Sequence, residues 1–127
     1  DVHTRLVLYK RIASAGSQEE LRSLQVEMID RFGLLPEPAK SLFEITGLKL
    51  KANPLGVRKI EAGAVGGRII FDGSPKLDPA HVIRLIQTMP HSFKLDGIDR
   101  IRFFNDMPDR DKRIGQVTAV LEQLGGL

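Results

Sequence analysis

Apolar and polar positions change their period half-way along the chain. In the first half, apolar residues recur every three or four positions, the spacing that places side chains on one helical face. Val2, Leu6, Tyr9 and Ala13 predict a first helix with these residues inward. Gly16 breaks the pattern. Ser17-Gln18-Glu19-Glu20 then forms a capping box, in which the Ser17 hydroxyl accepts from the Glu20 N–H and the Glu20 side chain reaches back. Leu21, Leu24 and Met28, with Phe32 at the end, predict the inward side of a second helix. Gly33 supplies a stop, and Pro36 and Pro38 restart the chain. Leu42, Ile45, Leu48 and Ala52 predict the inward side of a third helix, ended by Asn53-Pro54-Leu55-Gly56.

The second half alternates instead. Val57–Gly63 and residues 68–72 predict two strands joined around Gly66-Gly67, with Ile69 and Phe71 alternating with Arg68, Ile70 and Asp72. Asp78-Pro79 places a cap before a first-turn proline. The helix behind it carries Val82, Leu85, Ile86 and Met89 on one side. Residues 92–95 and 99–104 predict a second strand pair around Asp96-Gly97, a dipeptide that tolerates positive φ. A last helix starts near Pro108-Asp109, presents Ile114, Val117, Leu121 and Leu124, and closes at Gly125-Gly126.

The order is three helices, a hairpin, a helix, a hairpin and a helix. Segregated helices and hairpins predict an α+β fold with an antiparallel sheet covered by helices. One hairpin alone is marginal, so the two are expected to share a sheet or to pack on the same helices. The 127 residues suit a single domain, 1–127, and no linker marks a boundary.

Composition adds exclusions. Hydrophobic residues at 42% and charged residues at 28% are ordinary for a soluble globular chain, expected to be a folded monomer. No apolar run approaches the roughly 20 residues that span a bilayer. Asp1-Val2-His3-Thr4-Arg5 has neither the basic start nor the apolar run of a signal peptide, and reads as a cut just ahead of a helix. The cytoplasm is the expected compartment. The absence of cysteine excludes disulfides, thiol catalysis and cysteine-ligated zinc. The net charge of +3 is spread among interspersed acids and permits nucleic-acid contact without arguing for it.

Catalytic constellations are missing. Ala62-Gly63-Ala64-Val65-Gly66-Gly67 lacks the lysine-Ser/Thr ending of a phosphate-binding loop and reads as a turn. His3, His81 and His91 are scattered, and Asp78 with His81 reads as a cap beside a solvated side chain. Ser14, Ser17, Ser23, Ser41, Ser74 and Ser92 sit in no nucleophile elbow. Glu19-Glu20 and Asp109/Asp111 lie in first turns, where the helix dipole favours them. No metal or cofactor is expected.

Two charged groupings remain. Arg100 and Arg102 share one face of the last strand, followed by Arg110, Lys112 and Arg113, while Lys49, Lys51, Arg58 and Lys59 flank the first helix-to-strand junction. These read as a solvated surface or as a phosphate-contacting patch. Stacking platforms need exposed aromatics, and Phe103 and Phe104 alternate sides, so at most one serves. On helix two, Glu27, Asp30 and Arg31 form one stripe at i, i+3 and i+4, away from Leu21, Leu24 and Met28. That stripe is either an intrahelical Glu27–Arg31 pair or a contact surface.

Leu8 to Ala15, Glu20-Leu21, and Glu27-Met28-Ile29-Asp30-Arg31-Phe32-Gly33-Leu34-Leu35-Pro36 resemble the opening of the C-terminal domain of bacterial transcription-repair coupling factor (Mfd). The resemblance continues through Leu48-Lys49, Gly56-Val57-Arg58-Lys59-Ile60 and Leu95-Asp96-Gly97 to the last helix. It implies a parent ATPase that recognises stalled RNA polymerase, translocates on duplex DNA and recruits UvrA, with motor motifs upstream of this segment. It implies that this domain has no catalysis of its own. The domain would fold back on the N-terminal UvrB-like module, mask the UvrA-binding surface and restrain the motor. Glu27 and Asp30 match family positions that meet basic residues of that module. Arg31 sits in the same motif with a contact or a structural role, and Arg110 and Arg113 of the last helix are secondary candidates. A mildly basic nucleic-acid-binding accessory domain is the alternative.

Overall fold

The computed structural model describes residues 2–73 and 76–126. Asp1 and Ser74, both read above, lie outside the described residues, as do Pro75 and Leu127. The elements are helices α1 (Val2–Ala13), α2 (Gln18–Phe32) and α3 (Glu37–Ala52), strands β1 (Val57–Gly63) and β2 (Gly66–Phe71), helix α4 (Pro79–Thr88), strands β3 (Phe93–Leu95) and β4 (Arg100–Phe104), and helix α5 (Arg110–Leu124). A 3-10 turn over Asn53–Leu55 follows α3. This is the expected α+β arrangement. The chain divides into two compact units, Asp1–Leu50 and Lys51–Leu127.

The first unit has a helical core of Leu8, Ile12, Ala15, Leu21, Leu24, Met28, Leu35, Ala39 and Phe43. The inward side of α2 is the expected one. That of α1 is not: Leu6 is 60% exposed, whereas Ile12 is fully buried and Leu8 lies beside it. Helix α1 carries apolar residues nearly all round, so periodicity alone does not choose between its stripes. Helix α3 turns by about one residue for a similar reason. Ala39, Phe43 and Thr46 are buried in place of Ile45, because the phenyl ring of Phe43 offers more apolar surface to bury.

Helix α2 starts as a capping box requires. The Ser17 hydroxyl accepts from the Glu20 N–H at 3.0 Å. The Glu20 carboxylate reaches back one residue further than expected and accepts from the Gly16 N–H at 2.9 Å. Gly33, at φ +79°, ends the helix and donates to the Ile29 carbonyl.

The second unit is built on one antiparallel sheet of order β1-β2-β4-β3. The two hairpins do share a sheet, joined through β2 and β4. Its buried face carries Ile69, Phe71, Phe93, Ile101 and Phe103, and α5 buries Val117, Val120, Leu121 and Leu124. Helix α4 touches β3 and α5, and α5 touches β1. The first turn is displaced from the expected place. Ala64 and Val65 make it, and Gly66 and Gly67 belong to β2. A methyl group on Gly67 would stand 1.9 Å from the Glu61 carbonyl oxygen, and one on Gly66 2.1 Å from that of Phe103. These glycines allow close backbone approach on both sides of β2 and are not the turn itself.

Candidate interaction site

The stripe on α2 holds an internal partnership that its own helical spacing does not reveal. Glu27 is held chiefly by Arg11 of α1, with the two guanidinium nitrogens at 2.7 and 3.2 Å from the two carboxylate oxygens. This is the fork-to-fork geometry of a bidentate pair. The Glu27–Arg31 distance on the same helix is 3.8 Å, beyond hydrogen-bond reach. The hydrogen bond from Arg11 holds the Glu27 carboxyl below its ordinary range, against the opposing effect of desolvation and with help from the Arg11 and Arg31 charges. The same bond raises Arg11 above its ordinary value.

Arg31 has a second neighbour. Its guanidinium lies 5.2 Å from the centre of the Phe32 ring, a cation–π distance. Phe32 is 50% exposed, so the inward role expected of it is not taken up. Asp30 is exposed and makes no ion pair among the described residues. The stripe is therefore graded: Glu27 is fixed by Arg11, Arg31 leans on Phe32, and the Asp30 carboxylate is open to solvent.

Two depressions flank the stripe. Arg11, Ser14, Glu20, Ser23, Leu24 and Glu27 line one of about 340 Å³. Leu8, Tyr9, Met28, Phe32 and Leu35 contribute to a more apolar groove of about 410 Å³. Arg11 was missed from the sequence because nothing in the period of one helix reports a partner on another. The Lys10-Arg11 pair at the end of α1 is a favourable dipole placement that masks its second use.

The secondary candidates separate. Arg113 donates Nε and one terminal nitrogen to the Met107 carbonyl at 3.1 and 2.9 Å, anchoring the approach to α5. Arg110 is exposed at the first position of α5, after the Asp109 cap accepts from the Asp111 N–H at 2.9 Å. Asp78 caps α4 as expected. His81 is not a solvated side chain: its Nε2 lies 2.7 Å from the Gln123 carbonyl oxygen, in half-buried surroundings. Among the described residues, no group of three or more His, Asp or Glu side chains is placed to hold a metal ion. Nor is any helix among them long and apolar enough to cross a membrane.

A family model, the TRCF domain, matches residues 1–82. The chain belongs to the TRCF domain family. Within this family it is similar to the transcription-repair-coupling factor of Escherichia coli (strain K12), with 45% identity over 98% of the chain and 11% of that relative. It is similar to that of Haemophilus influenzae at 44% identity over the same shares. The chain thus spans about a tenth of the length of these relatives. A solved structure, the crystal structure of the C-terminal domain of transcription-repair coupling factor, has the same fold. Its TM-score is 0.74 at 21% identity, over 99% of this chain and 79% of the other. The relatives it matches are bacterial transcription-repair-coupling factors.

Proposed function

We propose that this TRCF domain is a regulatory protein-interaction module with no enzymatic activity of its own, acting in the cytoplasm as one domain. In this reading it docks on the N-terminal UvrB-like module of its parent chain, masks the UvrA-binding surface and restrains the ATPase motor until RNA polymerase is engaged. The observation that carries the reading is the exposed Asp30 carboxylate, unpaired among the described residues and one helical turn from a Glu27 fixed by Arg11. Such a surface meets a basic partner with part of its geometry already set. A latch must release, and exposed charge pairs contribute modestly and weaken with salt. Covalent tethering supplies a local concentration in the millimolar range, roughly enough to hold a weak interface closed.

The test is binding of this chain to the separated N-terminal module. Asp30→Lys is expected to weaken binding about tenfold or more, with the folding midpoint nearly unchanged. Glu27→Lys is expected to weaken it too, but with a measurable loss of stability, since it also sets a cation against Arg11. In the full-length parent, the reversed double variant should expose UvrA binding and raise basal ATP hydrolysis. If that double variant is folded and both readings match the wild type, docking does not use this stripe, and Arg110 becomes the next residue to reverse.

A further inference from the structure

The outer face of the sheet carries cations that the helical stripe does not involve. Arg68 of β2 and Arg102 of β4 are directly opposite in register, and Lys94 of β3 is opposite Arg102. Register partners share a face, so three basic side chains stand in a row across three adjacent strands, spanning roughly 10 Å at the usual strand spacing, with Glu61 of β1 next in the row, opposite Arg68. Ile69, Ile101 and Phe103 alternate with them onto the buried face. Like charges placed opposite one another destabilise a sheet. Here Asp96 stands between the two arginines, at 3.7 Å from Arg68 and 3.8 Å from Arg102. Both distances exceed hydrogen-bond reach. Among the described residues neither guanidinium makes a hydrogen bond, so both donor forks remain open. Arg11 and Arg113, by contrast, direct their forks at a carboxylate and a carbonyl.

An aromatic ring completes the face. Phe103 is 1% exposed, whereas Phe104 is 43% exposed and lies on the same side as Arg102. Phe104 stands opposite Gly66 in register. With Gly66 and Gly67 contributing no side chains, a depression of about 260 Å³ opens between Phe104, Arg68 and Arg102. Val65 and Phe103 also line it.

The geometry points to a single-stranded nucleic acid as the ligand of this face: Arg68, Arg102 and Lys94 hold successive backbone phosphates, and one base stacks on Phe104 above the glycines. Single strands, unlike duplexes, offer a base face for stacking next to their phosphates. An acidic protein segment would satisfy the cations and leave the aromatic depression without a role. This surface is distinct from the Asp30 stripe, so either can fail without the other.

The probes are a labelled oligothymidine, a duplex of equal length and a polyglutamate peptide, each titrated with the chain over a range of salt. The oligothymidine should bind tightest, with log affinity falling against log salt at a slope of about −2 for three phosphates. Arg68→Gln with Arg102→Gln should reduce the slope to about −0.7 and weaken binding at least tenfold. Phe104→Leu keeps an apolar cover over Gly66. It should weaken binding roughly tenfold and leave the slope unchanged. Lys94→Gln, on an exposed edge strand, should lower the slope by about 0.7 with the fold intact by circular dichroism. Equal or tighter binding of polyglutamate or duplex would overturn the proposal. So would absence of oligothymidine binding by the wild type, or folded variants that bind like it.

Discussion

Residues 2–50 leave Leu6, Ile29, Phe32 and Leu34 at the surface, and there Arg11 and Glu27 pair. Residues 51–126 bury Phe71, Phe93 and Phe103 but leave Phe104 43% exposed, and Arg68, Arg102 and Lys94 make no hydrogen bond among the described residues. The cause lies in geometry. A small helical unit buries one stripe per helix and has few interior positions, so apolar residues outside the stripe stay wet. A sheet sends alternate residues to opposite faces, so Ile69, Ile101 and Phe103 go to one and Arg68, Arg102 and Lys94 to the other, where Ile70 is nevertheless buried. Two kinds of surface result: a helical one where Glu27 is fixed and Asp30 is free, and a sheet face where Arg68 and Arg102 flank Asp96 without hydrogen-bonding to it. Protein docking suits the first and phosphate recognition the second.

The contrast can be broken most severely at Gly67. Gly67→Ala forces a methyl group against the Glu61 carbonyl and should cost about 3 kcal/mol or more. Hydrogen exchange read separately on α2 and β2 would then sharpen the comparison. Loss of protection confined to β2 is expected if the two units open independently, and loss in both if they unfold together. Ser17→Ala acts on the helical unit alone, removing the acceptor for the Glu20 N–H. It should cost about 1 kcal/mol in urea denaturation, with earlier exchange at the first turn of α2.

The smallest expected effect is on pH. Arg11 holds the folded Glu27 carboxyl below its ordinary range, so the folded chain binds fewer protons there than the unfolded chain. Stability from this pair is complete above the ordinary carboxylate range and is lost as pH falls through the lower, folded value. Arg11, raised in turn, stays charged throughout neutrality. Glu27→Gln should flatten this part of the acid limb in a denaturation series, slightly, because the pair is exposed. An unchanged limb would show that the pair contributes nothing to folding in solution.

The sequence was most legible where chemistry is local. Ser17, Gly33, Asp78 and Asp109 marked helix ends correctly because caps and stops act within a few residues. The weakness of a lone hairpin left a shared sheet or packing on the same helices, and the strand order β1-β2-β4-β3 selects the first. Faces were less legible. Helix α1 offered more than one apolar stripe, and only packing selected Leu8 and Ile12. The glycine pair was read as a turn because glycine signals both turns and close approach, and only the register distinguishes them. At the candidate site, spacing placed Glu27, Asp30 and Arg31 on one stripe without choosing between an internal pair and a contact surface, and it did not find Arg11, since its partner lies on another helix. Arg68 was likewise not joined to Arg102, because β2 and β4 become neighbours only once the sheet order is known.

That strand order also sets a sequence of events in time. The β1–β2 and β3–β4 hairpins close short loops and can form early. Joining β2 to β4 closes a much longer loop, from Phe71 to beyond Asp99 with α4 inside it, and bears a larger entropic cost before any ladder bond forms. Pairing of β2 with β4 is therefore the expected rate-limiting step of sheet assembly. A chain emerging from the ribosome would expose the bonding edge of β2 until Phe104 has been synthesised. During that interval the β1–β2 hairpin is the segment most open to pairing with a neighbouring chain.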